Sequence, residues 1–228
     1  GAPHGTVLIA GRQRGGHGRM GRSFHSPVGV GIYFSILLRP QCTPGELMHL
    51  TCATAVAMCE AVEAAAGFRP GIKWTNDLVC KKRKLGGILT ELGLSSKGTV
   101  DYAVIGIGIN CCQQEEDFAD EIRGIAASLS MVTGKEIDRA NVAAAMMDAL
   151  FRMDRNLLKE KHAILEQYRK DCITIGQEVS LLRVGEPVRH GTAVDMDEVG
   201  ALIVEFENGY RETVNSGEVS VRGMYGYL

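Results

Sequence analysis

The chain has 228 residues, 45% of them apolar and 23% charged, with a formal net charge of -2 at pH 7. Such a chain can fill a sizeable core, which excludes wholesale disorder, and its near-neutral balance argues against a surface built throughout to grip nucleic acid. The charge is unevenly placed, however: residues 1–45 carry Arg12, Arg14, Arg19, Arg22 and Arg39 and no Asp, Glu or Lys, leaving 20 basic against 27 acidic residues for the rest. The opening segment is therefore expected to meet an anion. No window approaches about 18 consecutive apolar residues, so no transmembrane helix and no membrane partner are expected. The start, Gly1-Ala2-Pro3-His4-Gly5, lacks the basic and then apolar profile of a secretory leader. Seven cysteines form no C-x-x-C pair and read as reduced thiols of a cytoplasmic protein.

Thr6 to Ala10 is a β-branched and apolar run, expected as a strand that stops at Gly11. Residues 11–22 hold five glycines and four arginines, a composition that fits neither a helix nor a packed strand, so a loop follows. Val30 to Leu38 reads as a strand. Thr43-Pro44-Gly45-Glu46 has the order of a capping box, and the periodicity of Leu47, Leu50, Thr54, Met58 and Ala61 predicts a helix running to Gly67. Ile72 to Cys80 and Leu85 to Leu94 read as two strands joined at Lys81-Lys82-Arg83-Lys84, and Val100 to Ile109 as a long buried strand. Gln113 to Gly124 is acidic and weakly periodic and reads as a mobile loop leading into a short helix over Ile125 to Val132. Asp138 is placed to cap a second long helix, extending to Tyr168. After Ile173 the pattern changes to five short strands, Glu178–Val184, Val188–Val194, Ala201–Phe206, Tyr210–Val214 and Val219–Arg222, which suggest a small β-barrel. The division expected is a catalytic α/β unit over 1–172 and the barrel over 173–228.

Three clusters carry chemistry. Gly16-His17-Gly18-Arg19-Met20-Gly21 satisfies G-x-G-x-x-G after a strand, but no helix follows and no acid sits about 20 residues on, so a dinucleotide fold is rejected. What remains is a backbone that a ligand can approach closely, flanked by guanidiniums able to bind phosphate or carboxylate; the alternative is a solvated basic turn. The second cluster is Lys73-Trp74-Thr75-Asn76-Asp77 followed by Lys84-Leu85-Gly86-Gly87. Lysines with apolar neighbours need an anionic partner, and Gly86-Gly87 inside an apolar strand implies a close approach to the backbone. A surface hairpin with a basic tip explains Lys81 to Arg83 but not Lys84 and the glycines. The third cluster, Gly106-Ile107-Gly108-Ile109-Asn110, lines a strand with small residues and sets a polar side chain at its mouth.

Together, the loop from Gln13 to Pro27 and the motifs at Lys73, Lys84 and Gly106 resemble the biotin protein ligase (biotin--[acetyl-CoA-carboxylase] ligase) family. The final segment from Gly176-Gln177-Glu178-Val179 resembles that family's C-terminal domain. The resemblance implies an α+β fold, a mixed β-sheet with packed helices of the class II synthetase type plus a small SH3-like β-barrel. It implies formation of biotinyl-5′-AMP from biotin and ATP with Mg²⁺, then transfer of biotin to a lysine of a biotin carboxyl carrier protein. By the same resemblance Gln13, His17, Gly18, Arg19, Lys84 and Gly87 fall on biotin-binding positions, with Arg19 and Lys84 catalytic. Arg22, Phe24, Lys73, Asn76, Asp77 and Asn110 fall on ATP-binding positions, Phe24 where the family commonly stacks a tryptophan on adenine. His17 stands in place of the family's usual arginine. No metal ligand is assigned outright; Asn76 and Asp77 are of the type that holds a hydrated Mg²⁺ or orients an arginine.

The chemistry agrees with this inventory, since joining a carboxylate to a phosphate needs fixed positive charge, and a labile mixed anhydride needs a loop that closes over it. The base for the acceptor amine is not named by the sequence, His17 and Asp77 being the candidates. The chain starts downstream of the family's Ser-Thr-Asn element, so weaker biotin binding than in a longer version is expected. It also starts downstream of any helix-turn-helix module, so repression of transcription is not expected. A lipoate or octanoyl ligase or transferase of the same fold and a non-catalytic biotin-binding module are the alternatives. Whether subunits pair as a homodimer through sheet edges is left open.

Overall fold

The computed structural model describes residues 1–182, 185–215 and 218–221. Six strands, Thr6–Ala10 (β1), Gly31–Leu38 (β2), Gly71–Lys73 (β3), Asp77–Cys80 (β4), Arg83–Leu94 (β5) and Val100–Asn110 (β6), form one sheet in the order β1-β2-β6-β5-β4-β3. Every ladder in it is antiparallel. Among the described residues, parallel pairing enters as two isolated bridges, Ile72 to Cys172 and Lys84 to Ala126. The expected strand over Ile72 to Cys80 is two strands, because the chain reverses at Trp74–Asn76, where the Trp74–Thr75 peptide is cis, and Lys73 pairs back with Asp77.

Alternation along β2 and β6 turns Ile32, Phe34, Ile36, Ile105, Ile107 and Ile109 into the core shared with the helices, leaving Ser35, Gly106 and Gly108 on the opposite face. The helices are Leu50–Ala66 (α1), Asp120–Arg123 (α2), Leu129–Thr133 (α3), Arg139–Asn156 (α4) and Lys161–Asp171 (α5). α1 packs between α4 and α5 against the sheet, and 72% of the most apolar window of Gly45–Ala66 is buried inside the protein, so this apolar helix has its partners within the chain. The capping box is present: Glu46 accepts from the Thr43 backbone N–H and hydroxyl. It heads a 3-10 turn over Gly45–Leu47 rather than α1 itself, and Gly67 ends α1 in the left-handed conformation. Asp138 does cap α4, accepting from the N–H groups of Ala140 and Asn141. The single long helix expected after it is two, α4 and α5, and at their junction His49 from the start of α1 donates through Nε2 to the Leu157 carbonyl at 2.8 Å.

A second sheet follows, Glu178–Leu182 (β7), Arg189–Met196 (β8), Leu202–Glu205 (β9), Arg211–Val214 (β10) and Glu218–Val221 (β11), in the order β10-β9-β8-β7-β11. These are the five strands read from the sequence; Val184 and Arg222, ends of two of them, lie outside the described residues. Its buried Val179, Leu181, Ala193, Met196, Leu202 and Val204 join the core of the first sheet. Polar contacts fix the junction. The backbone N–H of Trp74 donates to Thr174 Oγ1, its indole Nε1–H donates to the Gly200 carbonyl, both at 2.9 Å, and Tyr168 donates to the Thr75 carbonyl at 3.1 Å. The turn between β3 and β4 is therefore held from behind by the second sheet and α5.

His49 is fully buried, and burial holds its imidazole below the ordinary histidine range, in the neutral form. A folded-state pKa below the unfolded one gives stability that is present above about pH 6.5 and lost as pH falls below it. The midpoint of urea unfolding is expected to drop as pH is lowered from 7 to 5, and His49→Gln is expected to flatten that slope; a wild-type midpoint independent of pH over this range would contradict the assignment.

Candidate active site

The cavity lies on the sheet face opposite the core and encloses about 390 Å³. Strand register builds its floor. One row across the sheet reads Tyr33, Gly108, Gly87, Asp77 and Lys73 on β2, β6, β5, β4 and β3, and the next reads Ser35, Gly106 and Leu89. Because opposed residues share a face, three glycines fall together and form a trough with charged side chains at its β3–β4 side.

Lys84 reaches this face through a bulge. Asp77 pairs with Gly87 and Leu78 with Gly86, but Val79 pairs with Lys84, so Leu85 is the extra residue. Alternation counted from Gly87 would send Lys84 into the core and Leu85 to the cavity; the extra residue reverses this. Leu85 is fully buried, and Lys84 Nζ lies 2.6 Å from Asp77 Oδ1 with the two side chains 32% and 15% exposed. The Lys84 backbone is fixed as well, its N–H donating to the Ile125 carbonyl and its carbonyl accepting from the Ala127 N–H.

The glycine-arginine loop folds back over the trough. Gly18 N–H donates to the Arg22 carbonyl at 2.6 Å and Phe24 N–H to the Gly16 carbonyl at 2.8 Å, with a 3-10 turn over Arg19–Gly21 at the tip. Gly16 is required here: a Cβ would lie 2.6 Å from the Phe24 carbonyl oxygen. From this tip, Arg19 Nη1 donates to Asn76 Oδ1 at 3.0 Å. Asn76 is aimed by Ile88, which accepts from its Nδ2 and donates its own N–H to the Asn76 carbonyl, both at 3.0 Å. Consecutive residues of one turn thus hold the two cations, Asn76 on Arg19 and Asp77 on Lys84. Phe24 lies over Gly108 and meets Tyr33 edge-on, with ring centroids 6.4 Å apart. Burial pushes the Tyr33 phenol up to about 12, so it stays protonated and donates to the Pro27 carbonyl.

Gln13, His17, Gly18, Arg19, Arg22, Phe24, Lys73, Asn76, Asp77, Lys84 and Gly87 all line the cavity. Asn110 does not: its amide is buried and donates to the Ala127 carbonyl, and more distantly to that of Lys84, bracing the backbone on which Lys84 sits. Gly86 also differs from expectation, since its close neighbour is the Gly108 carbonyl of the adjacent strand, 2.3 Å from where a Cβ would lie, rather than a ligand. Ile122 and Ile125 line the cavity unexpectedly. The acidic segment carrying Ile122 forms a 3-10 turn over Glu115–Asp117, with the reciprocal cap of Gln114 and Asp117, and then α2, where a mobile loop was expected. Ile125 stands where a short helix was expected to start, but that helix, α3, starts at Leu129, and Arg83 donates to the Ala126 carbonyl in between. Leu89 and Val104 could have been found from strand alternation; nothing in the acidic stretch signals Ile122 or Ile125.

Arg19, Arg22, Lys73 and Lys84 face this space against the carboxylates of Asp77 and Glu91. Fixed positive charge beside an apolar trough can hold an organic anion by its tail and bring a second anion against its charged end. Among the described residues no group of three or more His, Cys, Asp or Glu could hold a metal ion. The glycines separate by role. Gly86→Ala is expected to destabilise the fold by about 1–3 kcal/mol through overpacking. A Cβ at Gly106 meets only ordinary contact, 3.8 Å from the Leu89 carbonyl oxygen, so Gly106→Ala is expected to leave stability unchanged while narrowing the trough. Guanidinium unfolding of both variants checks this, and equal losses would contradict it.

Residues 1–110 match the Biotin/lipoate A/B protein ligase family and residues 174–222 match the Biotin protein ligase C terminal domain. The bifunctional ligase/repressor BirA of Bacillus spizizenii is 36% identical over 212 residues, covering 92% of this chain and 65% of that protein. BirA of Escherichia coli is 30% identical over 220 residues, covering 96% and 67%. The structure of biotin protein ligase from Aquifex aeolicus in complex with biotin and ATP superposes with a TM-score of 0.81 at 32% identity, covering 97% of this chain and 90% of that one. The chain thus spans about two thirds of the length of the BirA proteins and most of the Aquifex enzyme. With residues 1–110 and 174–222 matched in order and relatives of 30% identity or more covered over two thirds of their length or beyond, the chain belongs to the biotin protein ligase family.

Proposed function

We propose that this chain is an ATP-dependent biotin protein ligase, which forms biotinyl-5′-AMP and passes the biotin to a lysine of a biotin carboxyl carrier protein. The observation that carries the reading is the convergence of Arg19 and Lys84, each on its own acceptor of the Asn76–Asp77 turn, at the edge of the glycine trough. In the first step a carboxylate oxygen of biotin attacks the α-phosphorus of ATP, and the bond to the bridging oxygen of pyrophosphate breaks. Two anions meet there, and the two preset cations offset their repulsion without reorganising. Gln13, His17, Gly18 and Gly87 stand on the biotin side of this reading, and Arg22, Phe24, Lys73, Asn76 and Asp77 on the nucleotide side.

Mg²⁺ bound with ATP would supply further charge neutralisation at the phosphates. Asn76 Oδ1 is taken by Arg19 and Asp77 Oδ1 by Lys84, so the other carboxylate oxygen of Asp77 is what this turn would offer the ion, which suits a hydrated ion carried by the phosphates better than a protein cage. The loop over Gly16–Phe24 would exclude water from the mixed anhydride. We assign catalysis to residues 1–172 and a supporting role to 173–228. A cytoplasmic setting is supported by seven free cysteines, with burial pushing Cys59 and Cys111 well above the ordinary thiol range.

Biotin-dependent exchange of pyrophosphate into ATP tests the reading. Exchange is expected with biotin and not with lipoate, and Arg19→Ala and Lys84→Ala are each expected to lower it about 100-fold or more. Exchange with lipoate alone would contradict the reading, as would biotin binding without any exchange, the mark of a binding module.

A further inference from the structure

A second cavity of about 260 Å³ opens beside the first and shares Arg19, Ile88 and Leu89 with it. Its walls come from the start of α1, the middle of β5, Thr75 of the β3–β4 turn and the connections at the edge of the second sheet, with Arg19 reaching in from the loop. Thr51 and Thr90 form one wall together, their hydroxyls hydrogen-bonded at 2.7 Å and tying α1 to β5. Val199, Gly200, Ala201 and Asn215 supply the side formed by the second sheet, and Met48, half exposed, stands at the rim. Among the described residues lining this space, Arg19 at the inner end is the one charged group. The other titratable lining group is Cys52, whose thiol burial pushes up to about 12 and so leaves neutral. Asp197, close by on the second sheet, is occupied by the backbone N–H groups of Val199 and Ala201 at 2.9 Å each.

This lining is wrong for the polyphosphate of ATP, which needs several cations, and wrong for an ammonium, which would lose its hydration and meet a guanidinium. It suits an uncharged aliphatic amine. We propose that this second cavity admits the acceptor lysine, and that its uncharged walls and Arg19 receive that side chain as the free amine. The proposal rests on the ligase reading above and answers what that reading leaves open, the absence of an assigned base. A lysine entering as the ammonium gives its proton to solvent on the way in, because desolvation and a neighbouring cation both disfavour the charged form. The amine nitrogen then attacks the acyl carbon of biotinyl-5′-AMP, the bond from that carbon to the phosphate oxygen breaks, AMP leaves with the electron pair, and the second proton on nitrogen goes to water. Amide, AMP and protons account for every atom.

The test places a carboxylate in the wall. Thr51 is the second residue of α1, where an acid is favoured by the helix dipole, so Thr51→Asp is expected to fold. Biotinyl-5′-AMP is supplied preformed, and single-turnover transfer to a biotin carboxyl carrier domain is followed from pH 6 to 10. A carboxylate in the wall stabilises the ammonium, so the rising limb of the profile is expected to move up by about one pH unit, a roughly tenfold loss at pH 7 that is recovered by pH 9. Thr51→Val, neutral and of similar size, is expected to keep the rising limb at its wild-type pH whatever the lost bond to Thr90 does to the rate. A loss in Thr51→Asp that high pH does not recover, an unchanged profile, or a defect confined to pyrophosphate exchange would overturn the proposal, the last by giving the cavity to ATP. Failure of the wild-type chain to transfer biotin at all would instead overturn the ligase reading itself.

Discussion

The structure depends most on one irregularity in strand pairing, the extra residue that Leu85 inserts between β4 and β5. Without it the lysine two places before Gly86 would point into an apolar core, where an ammonium is not tolerated unpaired. With it, Lys84 lies on Asp77, and the neighbouring Asn76 stands free to take Arg19 from a loop more than fifty residues upstream in sequence. One turn of chain therefore gathers two cations that the sequence keeps far apart.

Other features serve this arrangement. The glycines at 87, 106 and 108 fall in adjacent register, which leaves room on that face for Lys84 over Gly87 and the Phe24 ring over Gly108, with Gly106 open between them. The turn itself has little freedom: Ile88 grips Asn76 from the front, while Thr174, Gly200 and Tyr168 grip Trp74 and Thr75 from behind. The second sheet is in this sense part of the site's scaffold although none of its described residues lines the first cavity, and the second cavity opens where the two sheets meet.

Much of this was legible before any coordinates. The composition of residues 11–22 forces a loop that can approach an anion, and the alternation of Gly106 and Gly108 with isoleucines marks a strand with one bare face. The five short strands after Ile173 follow from their turn residues. Features that depend on pairing were not legible. A bulge is a relation between two strands, so nothing in Lys84-Leu85-Gly86 alone says that Leu85 is the inserted residue, and nothing at Trp74 says that the chain reverses there. Asn110 looked like a ligand contact because it ends a glycine-bearing strand, and it proves to be a brace for the backbone of Lys84. The acidic stretch read as mobile because its anchors, Arg83 and Ala126, are distant in sequence or carried by the backbone.

We propose that Asp77 acts through Lys84, holding its ammonium where the two anions would meet. A double-mutant cycle on Asp77→Ala and Lys84→Ala, read as the rate of biotinyl-5′-AMP formation, tests it most directly. Strong non-additivity is expected, with the double variant no slower than Lys84→Ala alone. Losses that simply multiply would show the two residues acting independently and would contradict it.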